Sequence, residues 1–107
     1  MSLSERALDV ATTIMNQLGG RRFTAMTGAK NHAFDDRNNT LSFRLPSRFA
    51  KDGINYVSIT LTSMDDYTLK FKKIWGTTVK DIKEIEGVYF DNLQEIFTDV
   101  TGLNTTL

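Results

Sequence analysis

The run Tyr56-Val57-Ser58-Ile59-Thr60-Leu61-Thr62 constrains this chain more than any other stretch. Val57, Ile59 and Leu61 alternate strictly with hydroxyl-bearing residues. Successive side chains of a strand point to opposite faces, so one face of this segment is apolar and the other polar. Such a half-buried strand belongs in an antiparallel sheet with one wet side. The flanking segments repeat the pattern. Leu41, Phe43 and Leu45 alternate with Ser42 and Arg44 over Thr40–Leu45. Tyr67, Leu69, Phe71 and Lys73 alternate with Thr68, Lys70, Lys72 and Ile74.

Two segments carry the other period. Leu3, Ala7, Ala11, Ile14, Met15 and Leu18 follow helical spacing, which predicts a helix over Ser4–Leu18. Ser2 and Glu5 are spaced as a capping box, and Gly19-Gly20 stops the helix. Leu93, Ile96, Phe97 and Val100 form the stripe of a second helix over Asp91–Thr101. Asp91 is its expected N-cap, with Gln94 completing a capping box. Gly102 sits at C′, and Leu103 is expected to fold back on Phe97.

The remaining segments are read from turn chemistry. Arg22–Met26 is a short strand candidate. Thr27–Asn39 is rich in Gly, Asn and Asp and reads as irregular, with Asn38-Asn39 closing a hairpin into Thr40–Leu45. Pro46 ends that strand, because it cannot donate to a ladder. Ser47–Gly53 is a connection, Ser63–Asp66 a tight turn and Trp75-Gly76 a bend. Thr77–Ile85 reads as a strand in which Val79 and Ile82 fall out of phase, so it contains either a β-bulge or a helical turn. No internal repeat or low-complexity segment is evident.

These elements predict one α+β domain over 1–107, with frayed ends at 1–3 and 104–107. It is a two-layer fold, with an antiparallel sheet of four to five strands and the N- and C-terminal helices packed on one face. The expected core is Leu8, Ala11, Ile14, Met15, Leu18, Leu41, Phe43, Val57, Ile59, Leu61, Leu69, Phe71, Leu93, Ile96 and Phe97. Burial of such side chains at about 1.5–3 kcal/mol each suffices for a marginally stable fold.

Composition narrows the chemistry. The chain has no cysteine, which excludes disulfides, thiolate nucleophiles and Cys-based zinc sites. It has no apolar run long enough for a membrane span or signal peptide, and a cytoplasmic setting is expected. Net charge is zero but unevenly spread. Arg21–Lys51 holds seven bases against Asp35 and Asp36, while Asp81 onward holds six acids against Lys83. Such asymmetry marks a basic binding surface, or two segments that neutralise each other side by side.

The alternation predicts a polar sheet face carrying Ser42, Arg44, Tyr56, Ser58, Thr60, Thr62, Thr68, Lys70 and Lys72, a hydroxyl and cation surface without acids. Lys and Arg there suit phosphates and Tyr56 suits a base, although sheet readers of single strands usually offer two or three aromatics. His32 is the only histidine, and a Gly- and Asn-rich loop is a poor frame for a metal. Thr27-Gly28-Ala29-Lys30 lacks the spacing and the Lys-Ser/Thr pair of a phosphate loop. Asp65-Asp66 is turn chemistry, and Glu84 and Glu86 read as the wet side of a strand. Nothing pairs a nucleophile with a base, so no catalytic residue, cofactor or metal is expected. Trp75, Tyr89 and Phe90 are either a partner-binding patch or the closure of the sheet edge against the last helix.

The runs Ile14–Gly20, Phe23–Lys30, Ile54–Leu61, Leu93–Thr98 and Thr101–Leu103, taken together, resemble a family of small uncharacterised proteins encoded by bacteriophages, prophages and other mobile elements. The likeness runs from Ile14 to Leu107. It implies a setting, the cytoplasm of an infected or lysogenic bacterium, and carries over no functional residue. The expected function is non-catalytic binding to a host or phage protein through the Gly28–Arg37 loop and nearby bases. The alternative is nucleic-acid binding by a basic sheet face and loop. The candidate binding residues are Arg21, Arg22, Lys30, His32, Arg37, Arg44, Arg48, Tyr56, Lys70 and Lys72. No membrane partner is expected, and an edge strand or the basic face suits a homodimer.

Overall fold

The computed structural model describes residues 5–46 and 50–103, with side chains from residue 8 onward. Ser2 of the expected capping box, the stripe position Leu3, the ends 1–3 and 104–107, and Arg48 lie outside the described residues, and nothing is described of the Glu5 and Ala7 side chains. The chain runs α1 (Glu5–Leu18), α2 (Arg21–Thr27), β1 (Lys30–Asp35), β2 (Thr40–Arg44), a 3₁₀ turn (Lys51–Gly53), β3 (Tyr56–Leu61), β4 (Tyr67–Trp75), β5 (Thr78–Val88) and α3 (Leu93–Thr101). The five strands form an antiparallel meander in the order β1-β2-β3-β4-β5.

The parity read from the sequence holds through the centre of the sheet. Leu41, Ile59 and Leu69 lie in one cross-strand row, and Phe43, Val57 and Phe71 in the next. All six are buried. The helices cover this face alone. Phe23 of α2 and Phe97 of α3 meet edge to face at 5.0 Å, and Phe23 reaches Phe43 at 5.3 Å. Phe97 also lies 6.4 Å from Phe71. Offset and edge-on ring pairs of this kind add about 0.5–1.5 kcal/mol beyond area burial. Two polar ties place α1. The Tyr67 hydroxyl donates to Gln17 Oε1 at 2.6 Å, and Gln94 Nε2 donates to the Leu18 carbonyl at 2.7 Å.

Arg22–Met26 is helical, not a strand. Phe23 and Thr27 are both buried while Arg21, Arg22 and Ala25 are exposed, which is a helical face. Five residues are too few for sequence to separate the two periods. The helix is bounded by Gly20 (φ 61°) and Gly28 (φ 71°). Ahead of it, Gly20 N–H donates to the Met15 carbonyl and Gly19 N–H to that of Asn16, a Schellman end for α1.

A short repeat, absent from the sequence reading, underlies the helix ends. Phe23-Thr24-Ala25-Met26-Thr27-Gly28-Ala29 and Phe97-Thr98-Asp99-Val100-Thr101-Gly102-Leu103 share one plan. In each, the buried second threonine donates to the phenylalanine carbonyl at 2.7 Å and accepts the N–H two residues on at 3.2 Å. The glycine is left-handed, and its N–H returns to the first threonine's carbonyl. Two helices are thus ended by one device, and their phenylalanines pack against each other. The expected C′ role of Gly102 is borne out, and Leu103 is buried in the core cluster that contains Phe97.

Other expectations are corrected. Thr27–Asn39 is not wholly irregular, because Lys30–Asp35 is an edge strand whose pairing slips between Lys30 and Ala33. Asn31 there has φ 56°. The slip breaks the alternation that makes a strand visible in sequence. Asp91 does not cap α3. Asn92 holds that position, its Oδ1 accepting the Tyr89 N–H, and Gln94 reaches Leu18 instead of closing a box. The bulge reading of the last strand is correct, and there are two irregularities. One lies at Ile82, where Phe71 opposes Lys83 and Lys72 opposes Asp81. The other lies near Gly87, whose φ of 69° suits a bulge that only glycine enters cheaply. Leu8, expected in the core, is 51% exposed, while Phe23, Ile54 and Val88, absent from the expected core, are fully buried.

Candidate functional site

Strand register brings four of the ten candidate residues into one line. On the face without helices, Lys30, Arg44, Tyr56 and Lys72 are successive cross-strand partners across β1 to β4. At about 4.8 Å per strand the row spans roughly 14 Å. It ends on β5, where Asp81 stands opposite Lys72 with Nζ and Oδ1 3.6 Å apart. In the neighbouring row Lys70 meets Glu84 at 3.6 Å.

The face is therefore not free of acids. β5 supplies carboxylates to both β4 lysines, and these described ion pairs run between β4 and β5. They do not join the basic stretch Arg21–Lys51 to the acidic C-terminal third. Exposed pairs of this sort contribute about 0–1 kcal/mol, but they remove two cations from any phosphate-binding count. Nor is the face uniformly wet. Ser58 is only 8% exposed, because it is short, central and flanked by Ser42 and Lys70. Thr60, half-buried, shares a 2.7 Å hydroxyl hydrogen bond with Thr40.

The other candidates lie elsewhere. Arg21 and Arg22 are exposed on α2, in the helical layer. Arg37 sits in the β1–β2 turn, its N–H donating to Asp35 Oδ1 at 2.9 Å. Trp75 is at one end of the sheet, and Tyr89 and Phe90 at the other, so the three neither form a single patch nor close an edge. All three are exposed.

His32 lies in a different setting from the loop assigned to it. It belongs to β1, with its ring 5.6 Å from that of Phe43. It forms one wall of a groove of about 350 Å³ between the sheet edge and α1. Phe34 continues that wall, Leu41 contributes from β2, and Ala11, Thr12 and Met15 of α1 stand opposite. The helical residues are spaced i, i+1, i+4. Leu8 precedes Ala11 by three and Thr12 by four, so it extends the same face beyond the groove as an exposed apolar rim. Partial burial lowers the His32 pKa from its usual 6.5, which favours the neutral ring and an apolar groove.

Beside the groove the outer edge of β1 has no neighbouring strand among the described residues. An edge strand directs part of its backbone N–H and C=O groups outward, ready to pair with another chain. Sequence reasoning missed the groove because one wall was read as a loop and Leu8 as core.

Among the described residues no cluster of three or more His, Asp or Glu side chains is placed to hold a metal ion. No described helix is long and apolar enough to cross a membrane. No protein-family model, curated protein or solved structure matches the chain.

Proposed function

We propose that this protein is a non-catalytic binding module of a bacteriophage or mobile element, acting in the host cytoplasm. It takes an extended segment of a host or phage protein as an added strand along β1. The observation that carries this reading is the coincidence of an unpaired strand edge with an apolar groove beside it. In strand addition, main-chain hydrogen bonds supply affinity and a side pocket supplies selectivity. The groove accepts an apolar side chain, and neutral His32 offers a polar contact at its rim.

The test is affinity capture from bacterial lysate, followed by hydrogen exchange on the captured complex. Leu8→Glu and Thr12→Arg serve as groove variants, because both positions are exposed and tolerate change. The expected result is protection of residues 30–35 in the complex and loss of capture by both variants. Equal capture by both variants, or protection confined to other strands, rejects the proposal.

A second reading is favoured by one observation, the in-register row Lys30–Arg44–Tyr56–Lys72. Three cations beside an aromatic ring suit a single-stranded nucleic acid, although Asp81 partly neutralises the row. Oligonucleotide binding that weakens steeply with salt and is lost in Arg44→Glu supports it. No binding at low salt removes it.

A further inference from the structure

Six large apolar side chains are exposed among the described residues: Leu8, Met64, Trp75, Val79, Tyr89 and Phe90. Leu8 lies on the α1 face that runs on from the groove. The other five gather at the two opposite ends of the sheet. Tyr67 pairs with Val88 at one end of the β4–β5 ladder and Trp75 with Thr78 at the other. The eight steps of β4 between them span about 26 Å at roughly 3.3 Å per step.

The two ends have opposite charge. Met64 (80% exposed) lies in the β3–β4 turn, and Tyr89 and Phe90 (55% and 66%) follow β5 at the same end. Asp65, Asp66 and Asp91 adjoin them in sequence. The nearby β1–β2 turn adds Asp35 and Asp36 against Arg37. At the far end the β4–β5 hairpin carries Trp75 and Val79 between Lys73 and Lys80. These two lysines are direct cross-strand partners, an arrangement that costs stability by like-charge repulsion. Neither has a carboxylate partner among the described ion pairs, and Lys73 lies 5.4 Å from the Trp75 ring centre. A lysine pair held face to face around an exposed tryptophan is relieved by an incoming anionic surface that is also apolar. The opposite end of the molecule is such a surface.

We infer that copies of this chain associate head to tail, the Lys73/Trp75/Lys80 hairpin tip of one docking on the Met64/Tyr89/Phe90 end of the next. The occupant is a second copy because the chain supplies both complements, apolar against apolar and cation against carboxylate. The two surfaces differ and face apart, so the contact is heterologous and extends into open chains instead of closing as a two-fold dimer. This surface is separate from the β1 groove, and its failure leaves the proposed function standing.

Sedimentation of the full chain from micromolar to millimolar concentration tests it, with circular dichroism verifying the fold of each variant. Wild type is expected to rise above the 12.1 kDa monomer with concentration and to fall back toward it in high salt, as screening weakens the charged rim. Trp75→Glu and Phe90→Lys each weaken association roughly tenfold or more, the scale of an interface aromatic. An equimolar mixture of the two retains one intact tip and one intact acidic end, so it forms dimers and nothing larger. A monomeric wild type, variants that associate like wild type, or a mixture no heavier than its components overturns the inference. So does a monomeric wild type whose hairpin tip instead binds an oligonucleotide, or whose acidic end binds an arginine-rich peptide.

Discussion

Alanine at Gly28 and at Gly102 separates backbone conformation from local crowding, because the two glycines end their helices in nearly the same way. Their φ angles are 71° and 74°, and each N–H returns to a threonine carbonyl four residues back. A Cβ in the left-handed region costs roughly 1–2 kcal/mol. Reduced freedom of alanine in the unfolded chain returns about 0.4–1 kcal/mol. Conformation alone therefore predicts a loss of about 0–1.6 kcal/mol at either site. The surroundings differ. A Cβ on Gly28 falls 2.8 Å from Pro46 Cγ, inside the closest approach real side chains make, and the proline ring cannot swing aside. A Cβ on Gly102 meets Lys51 methylenes at 3.0 Å, and Lys51 is exposed and rotates away. Overpacking against a rigid neighbour adds about 1–3 kcal/mol. Gly28→Ala is thus expected to lose about 1–3 kcal/mol more than Gly102→Ala, which loses only the conformational part. Urea unfolding with an unchanged m-value measures both. If Gly102→Ala is as damaging as Gly28→Ala, or more so, the crowding argument is wrong.

Two further outcomes follow from the core and the groove. Phe97→Ala, which empties the site where rings from α2, β2 and β4 converge, is expected to cost about 3–5 kcal/mol by urea unfolding, a large part of a small domain's stability. A loss below about 1 kcal/mol contradicts the packing described. His32 has a folded-state pKa below its unfolded value of 6.5, so the unfolded chain binds more protons in that window. Stability is expected to rise with pH through 6.5 and to fall on acidification below it. His32→Gln flattens that slope, and an NMR titration of the wild-type ring placing its pKa at or above 6.5 contradicts the burial argument.

What the sequence disclosed depended on how much of each element faced the core. β2, β3 and β4 lie inside the sheet with one face covered, so every second residue had to be apolar, and their parity and partners were readable. The stripe of α3 was readable for the same reason. β1 borders only one strand among the described residues and is irregular at Asn31, so its residues carry little alternation. α2 is two turns long, and Phe23 and Thr27 were too few to declare a period. Gln94 was misassigned because its side chain bonds a carbonyl 76 positions earlier, information that no local motif contains. The candidate site suffered similarly. The alignment of Lys30, Arg44, Tyr56 and Lys72 is set by strand pairing across β1 to β4, and the acids that β5 brings to Lys70 and Lys72 by a ladder shifted by bulges, neither of which is local information. The groove needed both β1 and the position of Leu8, and neither was legible.

The ties from Tyr67 to Gln17 and from Gln94 to Leu18 carry a consequence for the order of assembly. Every strand of the meander pairs with its neighbour in sequence, so the sheet closes through local connections, the longest of them the one that carries the 3₁₀ turn between β2 and β3. The first helix has to wait for anchors contributed by the middle and the last segment of the chain. α1 is therefore among the last elements to be secured. Until α3 is made, the aromatic floor that it roofs stays open to whatever is nearby.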